Sequence, residues 1–188
     1  MEFSQELEER LKLSVLKYLE KGRANWDVPH TLACVFWMKE LLKYEGGNPK
    51  ILIPAIYLHD VAYPQLKFKF DPNGNLDIKK EHMRLGAIIS KELLKNLGGF
   101  TNDEVEQIAN LVGVHDNLEL IKNSSDLYLQ LLFEADSLGQ IDRERVKPTF
   151  SKDNSKASLK RFEKIRAPLF KTTYGKKFLK ILLEKAKN

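Results

Sequence analysis

The spacing of apolar residues predicts helices along most of the chain. Over residues 3–19 they recur at steps of three and four, as on one face of an amphipathic helix, and the pattern stops near Gly22. Because proline needs no hydrogen-bond donor in the first turn of a helix, Pro29 fits the start of a second helix, read over residues 31–44. This places His30 at a helix start.

The third element, residues 51–61, is apolar on almost every side. Between helical neighbours, such a segment favours a central buried helix over a strand. His59 and Asp60 stand at its C-terminal end. Residues 62–78 then break the helical pattern, and the alternation in LKFKF before DPNG predicts a short loop or hairpin after the His-Asp doublet.

Helical patterns then resume and continue to the end of the chain. Thr101 followed by Glu104 is a capping-box pattern, so a helix should begin there and run toward His115. Four more helices are predicted, with approximate bounds 79–97, 127–138, 154–167 and 174–187. The sequence thus predicts an all-α fold, a compact multi-helix bundle.

Length and charge refine this picture. A chain of 188 residues is long enough for one sizeable core, so we expect a single domain over residues 1–188. Residues 143–188 carry fifteen Lys and Arg against four Asp and Glu, a net charge of +11, whereas the rest of the chain is mildly acidic. Such a segment attracts nucleic acid, an anionic membrane surface or a phosphorylated small molecule, although a solvated helix face has the same composition.

The cysteine content and hydropathy bear on the compartment. A single cysteine, Cys34, excludes a disulfide framework and indicates a reducing compartment. No apolar run approaches the roughly 18 residues that span a bilayer, and the first residues lack the order of a secretion signal. We therefore expect a cytoplasmic protein with no membrane association.

The candidate chemistry lies in the histidines and their acidic neighbours. His59 and Asp60 end a nearly all-apolar segment, where a carboxylate must be neutralised, hydrogen-bonded or bound to a cation. Imidazole and carboxylate are ligands suited to Zn, Mn or Fe, and antiparallel helices can bring such groups together. A single histidine on an apolar helix is, however, more often an ordinary core residue.

The order of these residues resembles a known signature. Around three positions the chain reads DVPHTL, LIPAIYLHDVAYP and FEADSLG. This is similar to the H…HD…D pattern of the HD-domain metal-dependent phosphohydrolase superfamily, over about residues 26–142. Between the doublet and the last aspartate, EHMRLGA and VGVHD resemble the extra histidines of the two-metal branches, such as the HD-GYP phosphodiesterases and the di-iron hydrolases of dinucleoside polyphosphates.

The resemblance implies a ligand set and a cofactor. One ion would be held by His30, His59, Asp60 and Asp136, and a second by His82 and His115 with Asp60 bridging the pair. In one-metal members, the residues near His82 and His115 would face substrate phosphate instead. The cofactor is thus one or two divalent transition-metal ions, Mn, Fe or Zn, with Mg, Ni or Co as substitutes.

The resemblance also implies a reaction. The protein would hydrolyse a phosphate ester or anhydride in a nucleotide or a related small phosphorylated compound, with a metal-activated hydroxide as nucleophile. Asp60 would act in catalysis by orienting that water while it holds metal. Asp116, beside His115, is expected to be an exposed surface residue; the alternative is a role as hydrogen-bond partner or proton donor near the metal.

Differences between this sequence and similar families narrow the range of candidate substrates. The similar guanosine tetraphosphate hydrolases carry an acidic pair three and four residues beyond the doublet, where this chain has Tyr63 and Pro64, so that activity is disfavoured. The GYP element of the cyclic dinucleotide phosphodiesterases is not evident either, so cyclic di-GMP is disfavoured as a substrate. Lys80 and Arg84, which share a helix face, and Tyr63 are candidate substrate-binding residues, although solvated lysines and a packed aromatic are the common alternatives.

Three functions therefore compete. The first is the metal-dependent phosphohydrolase. The second is a nucleic-acid-binding or regulatory module without turnover, suggested by the basic residues 143–188. The third is oxygen chemistry at a di-iron site, which some relatives with six such ligands perform.

Overall fold

Helices account for all the regular structure in the described part of the chain. A computed structural model describes residues 3–23, 25–66, 76–147 and 152–187. The α-helices within these ranges are α1 (Gln5–Leu19), α2 (Asp27–Glu45), α3 (Pro49–Leu58), α4 (Leu76–Leu97), α5 (Asn102–Val112), α6 (Leu118–Asn123), α7 (Leu127–Ile141), α8 (Lys152–Ile165) and α9 (Thr173–Lys187). Two short 3-10 turns cover Tyr63–Gln65 and Ala167–Leu169. The all-α prediction is confirmed.

Local sequence signals explain where several helices begin. The side chains of Ser4, Asn48 and Asp126 accept hydrogen bonds from backbone N–H groups in the first turns of α1, α3 and α7. At α5 both halves of the predicted capping box form, because Thr101 and Glu104 each accept from the other's backbone N–H. Each such cap stabilises its helix by about 1 kcal/mol.

Helix α3 occupies the centre of the fold. Every residue from Lys50 to Leu58 is buried, which confirms the predicted central helix. It packs against α2, α5, α7 and α1. The helix ends at Leu58, three residues before the predicted end, so His59 is its C-cap and Asp60 lies in the following turn.

Among the described helices, α2 and α7 share the most extensive contact. Gly139 makes this approach feasible: a Cβ atom there would lie 2.9 Å from the backbone nitrogen of Cys34. Since α3 packs on both helices, the three elements that carry the first histidine, the His-Asp doublet and the last aspartate are held against one another.

The C-terminal segment is anchored through a buried carboxylate. Glu134 on α7 is fully buried and accepts hydrogen bonds from the backbone N–H groups of Lys171 and Thr172, at 2.7 and 3.0 Å. This leads α9 back onto α7 and α2. Helix α8 packs against the 3-10 turn Ala167–Leu169, and its Phe162 is buried.

Some elements differ from the sequence-based expectation. Helix α2 begins at Asp27 rather than near residue 31, and α6 was not predicted because six residues are too few to display a helical period. Most of the segment LKFKF, in which a hairpin was considered, lies outside the described residues. Among the described helices, each is either too short or too polar to cross a bilayer.

Candidate metal centre

Six buried side chains from five parts of the fold converge on one region. They are His30 from the first turn of α2, His59 and Asp60 after α3, His82 on α4, His115 after α5 and Asp136 on α7. These are the six residues that the sequence analysis named as ligands. Up to 106 positions separate them along the chain, so their meeting depends on how the helices pack.

The first group consists of two histidines and Asp136. The Nε2 atom of His30 lies 3.3 Å from Nε2 of His59 and 3.2 Å from Oδ1 of Asp136. The Oδ2 atom of Asp60 lies 3.8 Å from Nε2 of His30 and 3.6 Å from Nε2 of His59. Two imidazoles and two carboxylates therefore face a common point.

The second group shares Asp60 with the first. The Nε2 atoms of His82 and His115 are 3.3 Å apart, and they lie 4.0 and 3.8 Å from Oδ1 of Asp60. The two oxygens of this one carboxylate thus face different histidine pairs. A carboxylate can bridge two ions in this way, because each oxygen carries its own lone pairs.

The ring nitrogens and carboxylate oxygens of the two groups are better suited to bind a cation than to form hydrogen bonds with one another. His59 donates its Nδ1–H to the carbonyl of Ile56, and His115 donates its Nδ1–H to the carbonyl of Val112, both at 2.8 Å. This fixes the tautomer in which Nε2 carries a lone pair, as is usual for metal-ligating histidines. In each group, the lone pairs of imidazoles and carboxylates then point toward a common centre. A divalent ion at that centre would suit these ligands.

The pKa values agree with this reading of the imidazoles. Burial lowers the pKa of His59, and burial together with the neighbouring His115 lowers the pKa of His82 to about 4. Both rings are therefore neutral near pH 7 and can bind a metal without losing a proton. Burial is the largest influence on the pKa of His115 and acts to lower it, but the nearby carboxylates of Asp60, Asp136 and Asp116 together outweigh burial and raise the pKa, so this ring lies in a field that attracts positive charge.

The two carboxylates are held in the ionised form. Burial alone would raise the pKa of Asp136, but the charge of Arg166 and the hydrogen bond from His30 outweigh it and bring the pKa well below its usual range. The pKa of Asp60 is likewise low, because the surrounding histidines and Arg23 outweigh the cost of burial. Ionised carboxylates are the form that binds metal.

Arg23 orients Asp60 from the loop before α2. Its Nη2 atom donates to Oδ2 of Asp60 at 2.9 Å, and its Nε donates to Oδ1 of the fully buried Asp27 at 2.5 Å. The guanidinium also lies 3.8 Å from the centre of the Tyr63 ring. A rigid arginine thus fixes the carboxylate that faces both histidine pairs. The sequence analysis did not identify Arg23.

Arg166 plays the same part for Asp136, from the basic C-terminal segment. Its three nitrogens donate to Oδ2 of Asp136 at 2.5 Å, to Oδ1 of Asp116 at 2.8 Å and to the hydroxyl of Ser137 at 2.9 Å. Oδ1 of Asp136 is left facing His30. Arg166 is therefore a positioning residue.

Asp116 corrects one expectation from the sequence. It was expected at the surface, but its side chain is only 11% exposed, because Arg166 and Lys79 both donate to it. Burial acts to raise the pKa of Asp116, yet these two cations lower it, so the carboxylate is ionised. This suits the alternative of a hydrogen-bond partner near the centre and argues against proton donation.

We expect Arg166→Gln to weaken Mn²⁺ binding about 10- to 100-fold, the usual effect of removing a side chain that orients a metal ligand. Calorimetric titration with Mn²⁺ measures this loss, and Arg166→Lys should restore part of it by keeping the charge. The control is Lys164→Gln, which removes an exposed cation two residues away. Unchanged Mn²⁺ affinity in Arg166→Gln would show that Asp136 needs no such support.

Cys34 is a further donor that the sequence analysis did not connect with the site. It lies one helical turn beyond His30, and its sulfur is 3.6 Å from the His30 ring nitrogens and 3.7 Å from the carbonyl oxygen of Asp136. It groups with His30, His59 and Asp136 as a set able to hold a metal ion. Burial raises the pKa of Cys34 well above its usual value, so in the absence of a cation it is a neutral thiol.

A cavity of about 610 Å³ opens onto five of the six residues, all except His59. Tyr63 lines it and stacks on His82, with ring centres 4.7 Å apart. Lys80 and Arg84, the other candidate substrate contacts, are exposed and are not among the lining residues, and Arg84 pairs with Glu81 at 2.7 Å. It is Lys79 that lines the cavity, because the turn of α4 directs this neighbour inward.

Comparison with known families agrees with this geometry. The family model described as HD domain matches residues 28–140. This chain belongs to the HD-domain family. The matched range includes all six residues of the cluster, and HD domains are mostly metal-dependent hydrolases that bind divalent ions. Searches of curated proteins and of solved structures each found no match to this HD domain.

Proposed function

We propose that this HD domain is a metal-dependent phosphohydrolase that binds two divalent ions and cleaves a phosphate ester or anhydride in a small phosphorylated compound, a nucleotide first among them. The observation that carries the proposal is the placement of Asp60. Its Oδ2 faces His30 and His59, whereas its Oδ1 faces His82 and His115. A bridging carboxylate between two histidine pairs is the arrangement expected of a two-metal site.

The six side chains would hold the ions, one ion at each histidine pair. Bound divalent ions supply Lewis acidity to phosphoryl oxygens and lower the pKa of a coordinated water. The chain's own residues do the rest. Arg166 occupies Oδ2 of Asp136 and leaves Oδ1 directed at the centre, whereas Arg23 pairs with Oδ2 of Asp60, which also faces His30 and His59, and so fixes the position of that carboxylate. The cavity admits a substrate phosphate beside this centre, and Lys79 adds positive charge at its wall.

The test combines metal analysis with a panel of phosphorylated compounds. We expect the purified protein to carry close to two equivalents of Mn, Fe or Zn and to release phosphate from at least one nucleotide. Chelation should abolish this activity, and added Mn²⁺ should restore it. A protein with no affinity for divalent ions, or one that turns over phosphate equally well after chelation, would rule the proposal out.

The alternatives lead to different measurements. Nucleic-acid binding through the exposed Lys176, Lys177 and Lys180 of α9 would appear as retention on heparin that is lost at modest salt, without turnover of phosphate compounds. Di-iron oxygen chemistry would appear as oxygen consumption by the reduced iron form. One cation of the same basic segment, Arg166, is paired with Asp136 and Asp116 and is therefore not free to bind a nucleic-acid phosphate. A cytoplasmic location agrees with the single buried Cys34 and stays a prediction.

A further inference from the structure

The cavity extends beyond the metal centre along the C-terminal end of α7. After Asp136, the same helix supplies Gln140 and Ile141 to the lining, and Arg143 follows just past its end. Helix α7 continues for five residues after Asp136, a rise of about 7.5 Å at about 1.5 Å per residue, and Arg143 lies two residues beyond its end. The opposite wall comes from α8, with Ser158, Leu159 and Phe162. A ligand can therefore reach from the metal centre to this far end.

Arg143 differs from the other cations of the cavity. Arg23 pairs with Asp27 and Asp60, Arg166 with Asp116 and Asp136, and Lys79 with Asp116. Arg143 is half-buried and has no carboxylate partner among the residues that the structure describes. Burial accordingly lowers its pKa, with no neighbouring charge to offset it. A half-buried guanidinium without a counter-ion can donate a charge-assisted hydrogen bond to an anion in the cavity.

Gln140 provides an independent observation at the same end. Its side-chain amide oxygen is buried and has no hydrogen-bond partner in the described part of the chain. Buried polar atoms are nearly always hydrogen-bonded, so an unpartnered amide oxygen in a cavity wall is an acceptor open to water or to a ligand in the cavity. Gln140 lies one helical turn after Asp136 and three residues before Arg143.

We propose that Gln140 and Arg143 form a second recognition site in this cavity, which binds an anionic group carried by the part of the substrate that is not cleaved. This rests on the proposed function, since it takes the scissile phosphate to lie at the metal centre. Arg143 would bind a second phosphate or carboxylate, and the Gln140 amide oxygen would accept from a neighbouring hydroxyl or amino group. The apolar side chains of Ile141, Leu159 and Phe162 suit a sugar or a base that lies beside the two anions.

The experiment compares two probes that differ by one anionic group. Adenosine 5′-monophosphate and adenosine 3′,5′-bisphosphate share the base, the sugar and one phosphate. Each is titrated calorimetrically into the Mn²⁺-loaded protein, with the probe checked for integrity afterwards, and kcat and KM are measured where phosphate is released. The variants are Arg143→Gln and the control Arg161→Gln, which removes an exposed arginine of α8. Circular dichroism verifies that both are folded.

We expect the wild-type protein to bind the bisphosphate more tightly than the monophosphate. Arg143→Gln should weaken bisphosphate binding about 10- to 100-fold, as expected for a lost charge-assisted hydrogen bond, through KM rather than kcat. Monophosphate binding should change less than about threefold, and Arg161→Gln should leave both probes unaffected. Gln140→Ala should weaken both probes by a smaller factor, about two- to tenfold.

Other results would overturn the inference. Equal losses for both probes in Arg143→Gln would make Arg143 a contact of the shared phosphate or a structural residue, and no loss for either probe would remove it from recognition. If the wild-type protein bound the bisphosphate no more tightly than the monophosphate, the inference of a second anion site would be wrong. If the preference depends on Arg143 but no phosphate is released from any compound, the recognition site stands and the proposed phosphohydrolase activity fails.

Discussion

Asp60→Asn should empty at least one of the two metal positions and lower phosphohydrolase turnover at least about 1000-fold. The amide nitrogen of asparagine does not bind these ions, so only one of the two faces of the side chain can keep a ligand atom. The substitution also removes the negative charge that His30, His59, His82 and His115 share. Elemental analysis of the purified variant and initial rates on the best nucleotide substrate measure the two effects.

The control is Asp103→Asn, which makes the same chemical change at an exposed position of α5. It should keep the full metal content and the full rate. The folded state of Asp60→Asn should survive, because Arg23 retains its pairing with the buried Asp27. If Asp60→Asn kept both ions and more than a tenth of the rate, the two-metal proposal would be wrong.

Gly139→Val should destabilise the fold by about 3 kcal/mol or more and should weaken metal binding as a consequence. A Cβ atom at this position would lie 2.4 Å from the sulfur of Cys34, 2.9 Å from its backbone nitrogen and 3.1 Å from its Cα. The helices α2 and α7 must therefore separate. His30 lies one turn before Cys34, and Asp136 lies three residues before Gly139, so the separation also pulls apart two metal ligands.

Urea unfolding gives the loss of stability, and Mn²⁺ titration gives the loss of affinity. The double variant Gly139→Val with Cys34→Ala removes the sulfur but leaves the backbone atoms of residue 34 in place, so it should recover only part of the stability. Ala157→Val introduces the same side chain at an exposed position of α8 and should cost less than about 1 kcal/mol. A Gly139→Val protein of near wild-type stability would show that α2 and α7 can repack without loss.

The ligands of the centre were accessible from the sequence because each belongs to a short, recognisable segment. The apolar run of α3 identified a buried helix, and the acid and imidazole at its end required a partner. The capping box located the start of α5 because its two residues, Thr101 and Glu104, are only three positions apart and form a local motif. The spacing of the remaining histidines and Asp136 then carried the resemblance to HD domains.

The groups that support the ligands could not be predicted in this way. Arg166 was one of fifteen cations in the C-terminal segment, and only the return of the chain past α8 brings it to Asp136, thirty residues earlier. Asp116 was predicted at the surface, but Lys79 and Arg166, from distant parts of the chain, both donate to it and enclose it.

By itself, the sequence determined the helical class and the buried third helix, because these depend on local periodicity, and its resemblance to HD domains indicated six candidate metal ligands. The tertiary structure alone decided that the two oxygens of Asp60 face different histidine pairs, that two arginines orient the carboxylates, and that Lys79 rather than Lys80 lines the cavity. Such relations depend on the rotation of each helix about its axis and on contacts between distant segments, and packing of the whole core sets both.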